Sequence, residues 1–484
     1  MKKTIFANDF YSYYPHGIMP CPMYVDVANK IYNQIRPLEL EIPNADAIKK
    51  DIAINVAIFY EDKMSDTGIW NSFANRHYQM YQEELPFHDG MEIFEDDIIP
   101  QEIELLIWMV LSRTYTDQLI NPMMCGSITT DIIMDILDEA DEVEVNKSLY
   151  NFIYNKENAQ DYFKQKQVLF WLRNCYLHTS PLTDKLYDQL LESYPKSFNK
   201  RESNYYAETE ICMFFETGPL ALLAHQYLAD MYDGHGWKKE AQKLRNLEYH
   251  MLDYFTVTKN PDNTTTLTDV NGNEFIMLPN DSVQFCDSPY VMTSLVRYDG
   301  RCEINGFVVP ASMEDYHQHQ ELMSRKNAEK SKNYQALMKC LNGRHLFFFA
   351  NKAEAHTWLK SLTPTGTSVE LPNIASDIPL VAYISQESGI IFTPKIVHAI
   401  KSDDNPFYGK CDAPTRIMET IATVIVNNIV SPELLHHLLE NNMLQDGDVS
   451  SIYMDETGNK IFTKNIDFIA RFFRRHNYYS HKDC

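Results

Sequence analysis

Tyr290-Val-Met-Thr-Ser-Leu-Val-Arg-Tyr-Asp-Gly-Arg-Cys-Glu-Ile-Asn-Gly-Phe-Val-Val309 is the stretch on which the fold class turns. Its β-branched and aromatic residues come in short bursts, with Asp299-Gly300 between two of them. That dipeptide is a hairpin signal, because a type I′ turn needs positive φ at both central positions. Asn305-Gly306 repeats the signal, and Asn271-Gly272 gives it upstream. Further out lie Phe255-Thr-Val-Thr258, Thr264 to Thr268 and Glu274 to Leu278, all β-prone. Residues 253–310 are therefore predicted to form a small antiparallel sheet or barrel.

Upstream of about 253 the period is helical. Ile48, Ile52, Val56, Phe59 and Tyr60 mark one apolar face, with Asn44 or Asp46 as cap. A helix is expected from about 68 to 84, and another opens at Pro100, the favoured first position, with Glu102 and Glu104 at its positive end. More helical patterns follow near 129–139, 157–177, 184–193, 217–232 and 236–254. Downstream, a charged helix spans Met313 to about Leu341, and His345-Leu-Phe-Phe-Phe-Ala350 reads as a buried strand followed by a short helix. Pro379 to Ile384 and Gly389 to Phe392 are strand-like, whereas Pro394 to Ile400, Thr415 to Val430, Glu433 to Leu444 and Asn465 to Phe473 look helical or mixed. The expected class is α+β: a helical domain over 1–250, a β module over 253–310 and a mixed domain over 311–484.

The chain has 484 residues, 44% hydrophobic and 23% charged, ordinary values for a packed globular protein. Only 16 glycines occur, too few for collagen-like or linker-rich architectures. No apolar run approaches the roughly 20 residues that span a bilayer, and no signal-peptide core is visible in the opening residues. Nine scattered cysteines without a Cys-x-x-Cys read as reduced thiols. The expected address is the cytoplasm, with no membrane association.

Tyr13-Tyr14-Pro15 with Tyr24 and Ala28-Asn29-Lys30 form one group of distinctive stretches, together with Gly68-Ile-Trp, His77 and Leu85-Pro-Phe. Further on come Ser294-Leu-Val-Arg-Tyr-Asp-Gly with Ile304-Asn-Gly, Asn405-Pro-Phe-Tyr, Leu438-Leu-Glu-Asn-Asn and Asp467-Phe-Ile-Ala-Arg-Phe-Phe. Together they resemble an uncharacterised bacterial family, of the domain-of-unknown-function kind common in Bacteroidetes. The resemblance implies one shared architecture and no particular reaction.

Net charge is −24, and between Glu83 and Glu144 there are 17 Asp or Glu against Arg113 alone. A solvated face on amphipathic helices explains such a run. The functional reading is a docking surface for a basic protein partner, with Glu95, Asp96 and Asp97 as its centre. EF-hand spacing is missing, so no metal is assigned there. His317-x-His319 and His436-His437 are spaced so that their rings diverge on a helix, against the i, i+4 pairing of helical metal sites. His88-Asp89-Gly90 could present an acid and a base, although a turn explains it more simply. No nucleophile elbow, Walker loop or Gly-x-Gly-x-x-Gly is found; Gly234-His-Gly236 lacks the third glycine and a preceding strand. No cofactor is expected.

Nucleic-acid binding needs clustered cations, and residues 253–310 carry only Lys259, Arg297 and Arg301. The basic end, Arg471, Arg474, Arg475, His476, His481 and Lys482, reads as a solubilising tail. The favoured role is a non-catalytic binding or scaffold protein using an acidic helical surface. The alternative is a hydrolase or transferase whose site sits in a cleft and is assembled from residues distant in sequence.

Overall fold

Asp299 and Gly300 both take positive φ, 50° and 75°, and the hairpin they close pairs Tyr298 with Arg301 and Arg297 with Cys302. The computed structural model that shows this describes residues 3–38, 44–87, 98–116, 119–122, 127–140, 144–194, 198–278, 288–363, 370–372, 374–386, 388–394, 396–410, 430–444 and 455–478. The class is α+β, with helices before the sheet and mixed elements after it. The chain divides into two compact units: Met1–Tyr115 with Pro122–Tyr316, and Thr116–Asn121 with His317–Cys484.

The first unit begins with α1 (Pro22–Ile35), α2 (Ala45–Ser65), α3 (Ile69–Tyr81), α4 (Pro100–Thr114), α5 (Ser127–Asp138) and α6 (Lys147–Ile153). It continues with α7 (Tyr162–Asn174), α8 (Pro181–Ser193), α9 (Lys200–Phe214), α10 (Ala224–Gly234) and α11 (Lys238–Arg245). The predicted apolar face of α2 is buried, but so are Ile54, Ala57, Glu61 and Asp62 on its other sides. A helix covered all round is the core of its unit rather than a surface layer. Phe59 meets Trp70 edge to face at 4.8 Å, and Trp70 meets Phe73 at 5.5 Å, which fastens α3 onto α2.

Six strands follow: β1 (Glu248–Lys259), β2 (Thr265–Asp269), β3 (Glu274–Met277), β4 (Tyr290–Tyr298), β5 (Arg301–Ile304) and β6 (Val309–Pro310). β1 pairs with both β2 and β4, and β3 meets β5 through one parallel register, Met277 with Cys302. The order β1-β2-β3-β5-β4 thus returns on itself as a small barrel around Phe255, Leu267, Met277, Val291, Leu295, Cys302 and Ile304. Asn305-Gly306 is no hairpin turn: Asn305 is fully buried, and a Cβ on Gly306 would stand 2.9 Å from the Tyr206 ring.

Two other expectations are corrected upstream. Residues 217–222 form a tight turn closed by Thr217 and Leu222 rather than helix. The pattern over 236–254 splits into α11 and the first half of β1, because Asn246 and Leu247 end the helix and the chain pairs with β4 from Glu248 onward. Helices α1, α6 and α9 were not read from the sequence.

The second unit contains α12 (Met313–Cys340) from His317 on, then β7 (Leu346–Phe349), α13 (Lys352–Leu362), β8 (Leu380–Ser385), β9 (Gly389–Thr393), α14 (Pro432–Glu440), α15 (Glu456–Lys464) and α16 (Ile466–Arg474). β7-β8-β9 is an antiparallel sheet, and Trp358 of α13 lies on Phe347 and Phe349 at 4.9 and 5.2 Å. Pro394 to Ile400 holds one short 3₁₀ turn, Val397–Ala399, instead of a helix. The expected helix over Thr415 to Val430 lies almost wholly outside the described residues. Among the described residues no helix is long and apolar enough to cross a membrane.

Candidate functional site

The corner between α2 and α3 is built on a buried carboxylate. Asp62 accepts from the backbone N–H of Ile69 at 3.0 Å and of Trp70 at 2.8 Å, from Tyr176 Oη at 2.8 Å, and from the Thr67 hydroxyl. Two of these donors are orphan amides at the start of α3, which a helix-end carboxylate satisfies well. Burial pushes the Asp62 carboxyl above its ordinary value, and the four donors pull it back.

The chain turns this corner in left-handed backbone, with φ of 50° at Asp66 and 77° at Gly68. Gly68 is required twice over, since a Cβ there would lie 3.2 Å from both His235 Cε1 and Tyr154 Oη. His235, just past α10, stacks on Tyr154 at 3.9 Å. Its Nδ1 sits 3.3 Å from the Met231 carbonyl and its Nε2 sits 3.2 Å from the Asp66 carboxylate.

Between this corner, α3 and α10 opens a cleft of about 450 Å³, within the range of small-molecule sites. Lys63 and Glu102 form a 3.3 Å ion pair in its wall, their side chains only 7% and 6% exposed. Trp70 Nε1 donates to Glu102 at 2.6 Å and Lys63 Nζ donates to Asn71 at 3.2 Å. Arg76 grips Asp230 through two bonds of 2.7 and 2.9 Å, and Arg245 joins Asp230 to Asp233. Asp66, by contrast, is 73% exposed, and Glu84 is also exposed at the cleft. The cleft therefore has internally neutralised walls and a negative rim.

Nucleophilic chemistry is disfavoured at three of the described cysteines. Burial, reinforced by Glu61, pushes the Cys21 thiol up to about 11, and burial raises Cys175 and Cys212 to about 12. Such thiols stay protonated near neutral pH and react slowly.

Glu95, Asp96 and Asp97 lie outside the described residues, as do His88 and Asp89. Of the same acidic run, Asp138 at the last position of α5 and Glu139 just after it are exposed, whereas Glu102 is buried against Lys63 instead of facing solvent. Near the start of α12, His317 is exposed and His319 is half-buried. His345 and His437 bring their rings to 5.4 Å. Among the described residues no three His, Cys, Asp or Glu side chains gather as a metal site would require.

The basic end is not a solvated tail where it is described. Arg471 pairs with Asp467 at 2.8 Å and covers the Tyr478 ring at 4.3 Å. Arg474 and Arg475 are buried, the former donating to the Val430 carbonyl at 2.7 Å. Sequence reasoning missed the roles of Lys63, Asp66 and His235. The signals that could have found them are Gly68-Ile-Trp and Gly234-His-Gly236, two glycine breaks bracketing helices.

A two-unit α+β architecture with a polar cleft at a helix corner is the class that fold and site define. Within it, the chain belongs to the family described as Protein of unknown function (DUF3843), which it matches over residues 4–268 and 308–475. No curated protein and no solved structure matches it.

Proposed function

We propose that the protein binds its ligand without transforming it, and that the cleft takes a small cationic, hydrogen-bonding molecule. The observation that carries this reading is the exposed Asp66 carboxylate, held at the rim by left-handed backbone while the Lys63–Glu102 pair behind it is already neutralised. Asn71, Asn75 and Tyr78 supply polar contacts along the same wall. A net charge of −24 adds a field that attracts cations. The scattered free thiols support a reducing, cytoplasmic setting.

Calorimetry and thermal shift with putrescine, arginine amide and choline test the reading. At least one should bind saturably and raise the melting temperature, and Asp66→Asn should weaken it about tenfold, or about 1.4 kcal/mol. If none of the three binds saturably, the cationic-ligand reading falls. Docking of a basic protein through Glu95, Asp96 and Asp97 is a further part of the proposal; unchanged capture of native partners after neutralising all three would remove it. His235 beside Asp66 favours the second reading, a hydrolase or transferase. Ester or amide turnover that disappears in His235→Gln would put that reading first.

A further inference from the structure

Lys166 of α7 is 3% exposed, and no carboxylate lies within ion-pair distance of it among the described residues. Its Nζ donates to Asn305 Oδ1 at 2.7 Å and to Tyr205 Oη at 2.6 Å, beneath the rings of Tyr205 at 4.2 Å and Phe170 at 5.3 Å. Asn305 is wholly buried. Its Oδ1 also accepts from Tyr162 Oη at 2.7 Å, while its Nδ2 has no hydrogen-bond partner among the described residues. Asn305 is held firmly, because its backbone N–H donates to Ser294 O at 2.8 Å and its carbonyl accepts from Ser294 Oγ at 2.7 Å. An amine, a carboxamide, a hydroxyl polarising that carboxamide and a second hydroxyl on the amine thus meet where water is excluded.

We infer that this cluster is a self-modification site at which Lys166 and Asn305 join as an intramolecular isopeptide bond, fastening the helical layer to the barrel. The Nζ lone pair attacks Asn305 Cγ, a C–N bond forms, and the carbonyl electron pair moves onto Oδ1, where Tyr162 Oη stabilises it. Collapse of that intermediate breaks the Cγ–Nδ2 bond. Nδ2 leaves as ammonia, carrying one proton given up by the amine and relayed through the Tyr205 hydroxyl. Atoms balance with no oxidant or added reactant: amine plus carboxamide gives secondary amide plus ammonia. Burial lowers the Lys166 amine to about 7, so an unprotonated nucleophile is abundant at neutral pH. Proximity in a fixed geometry supplies the rest of the acceleration.

Intact mass of the full-length protein, denatured after purification, decides the matter. The expected mass is lower than the sequence mass by one ammonia, protease digestion should stop after Lys166, and a branched peptide should carry both segments. Lys166→Arg and Asn305→Ala should each return to their own sequence masses, and Tyr162→Phe should leave a larger uncrosslinked fraction at equal age. Should these variants fail to fold, the wild-type mass and digest suffice. A wild-type mass equal to the sequence mass, with normal cleavage after Lys166, overturns the inference. So does a linear peptide in which position 305 has become aspartate, since the amide nitrogen would then have been lost to water.

Discussion

Asp62 and Lys166 are both ionisable groups deep in the first unit, and their surroundings handle them in opposite ways. Asp62 keeps four donors, two of them helix-start amides, which together replace the water it lost. Lys166 hydrogen-bonds to neutral oxygens beneath aromatic faces, and the charge of Glu208 offsets its burial only in part. The fold therefore accommodates a buried negative charge by solvating it, and a buried amine by discouraging its charge. The carboxylate serves as an anchor, whereas the amine is left chemically competent.

Removing the anchor should have the largest effect. Asp62→Ala uncaps α3 and strands the hydroxyls of Tyr176 and Thr67, and should cost about 3 kcal/mol. Urea unfolding followed by Trp70 fluorescence would record it as a lower midpoint at unchanged slope.

The second prediction tests the amine. In Asn305→Ala, where no bond can form, Lys166 titrates near 7 when folded and near 10.4 when unfolded. Between those values the unfolded chain binds more protons, so stability rises with pH. The gain should be about 2 kcal/mol from pH 7 to pH 8.5, and it should vanish in Lys166→Met combined with Asn305→Ala. Wild type, its amine consumed, should lack the same increment. Equal slopes in all three would break the contrast with Asp62.

Gly68→Ala comes next, at about 1–2 kcal/mol, from left-handed strain added to contact with His235 and Tyr154. It should also disturb the cleft, visible as a shifted His235 ring resonance. The smallest effect belongs to Glu84→Gln: an exposed rim carboxylate should change stability by less than about 0.5 kcal/mol. Loss of cation binding without loss of stability in that variant would separate the rim's function from the corner's architecture.

What the sequence made legible was local. Asp299-Gly300 forced its hairpin through backbone conformation alone, and Pro100 marked a helix start that formed as expected. Asn305-Gly306 carried the same turn signal, yet tertiary contacts took both residues into the interior against Tyr162, Lys166 and Tyr206. Residues 248–254 read as helix because Tyr249, Leu252 and Phe255 also fit a helical stripe; pairing with β4 decided otherwise. The cleft was illegible for a different reason. Glu102 looked like one more surface acid, and only its partner Lys63, 39 residues earlier, reveals its burial. His235 meets Asp66 across a gap of well over a hundred residues, a distance that no local pattern spans.

The Asp62 corner also sets a timetable for synthesis. Its last donor, Tyr176, lies 114 residues after the carboxylate it serves. Glu144 and Asn146 likewise arrive long after their partners Tyr24 and Glu61. A nascent chain halted before Tyr176 emerges from the ribosome would already hold α1, α3 and α4 against α2, yet its buried acid would be incompletely solvated. Consolidation of this corner should therefore coincide with the exit of Tyr176 rather than with completion of α2 itself.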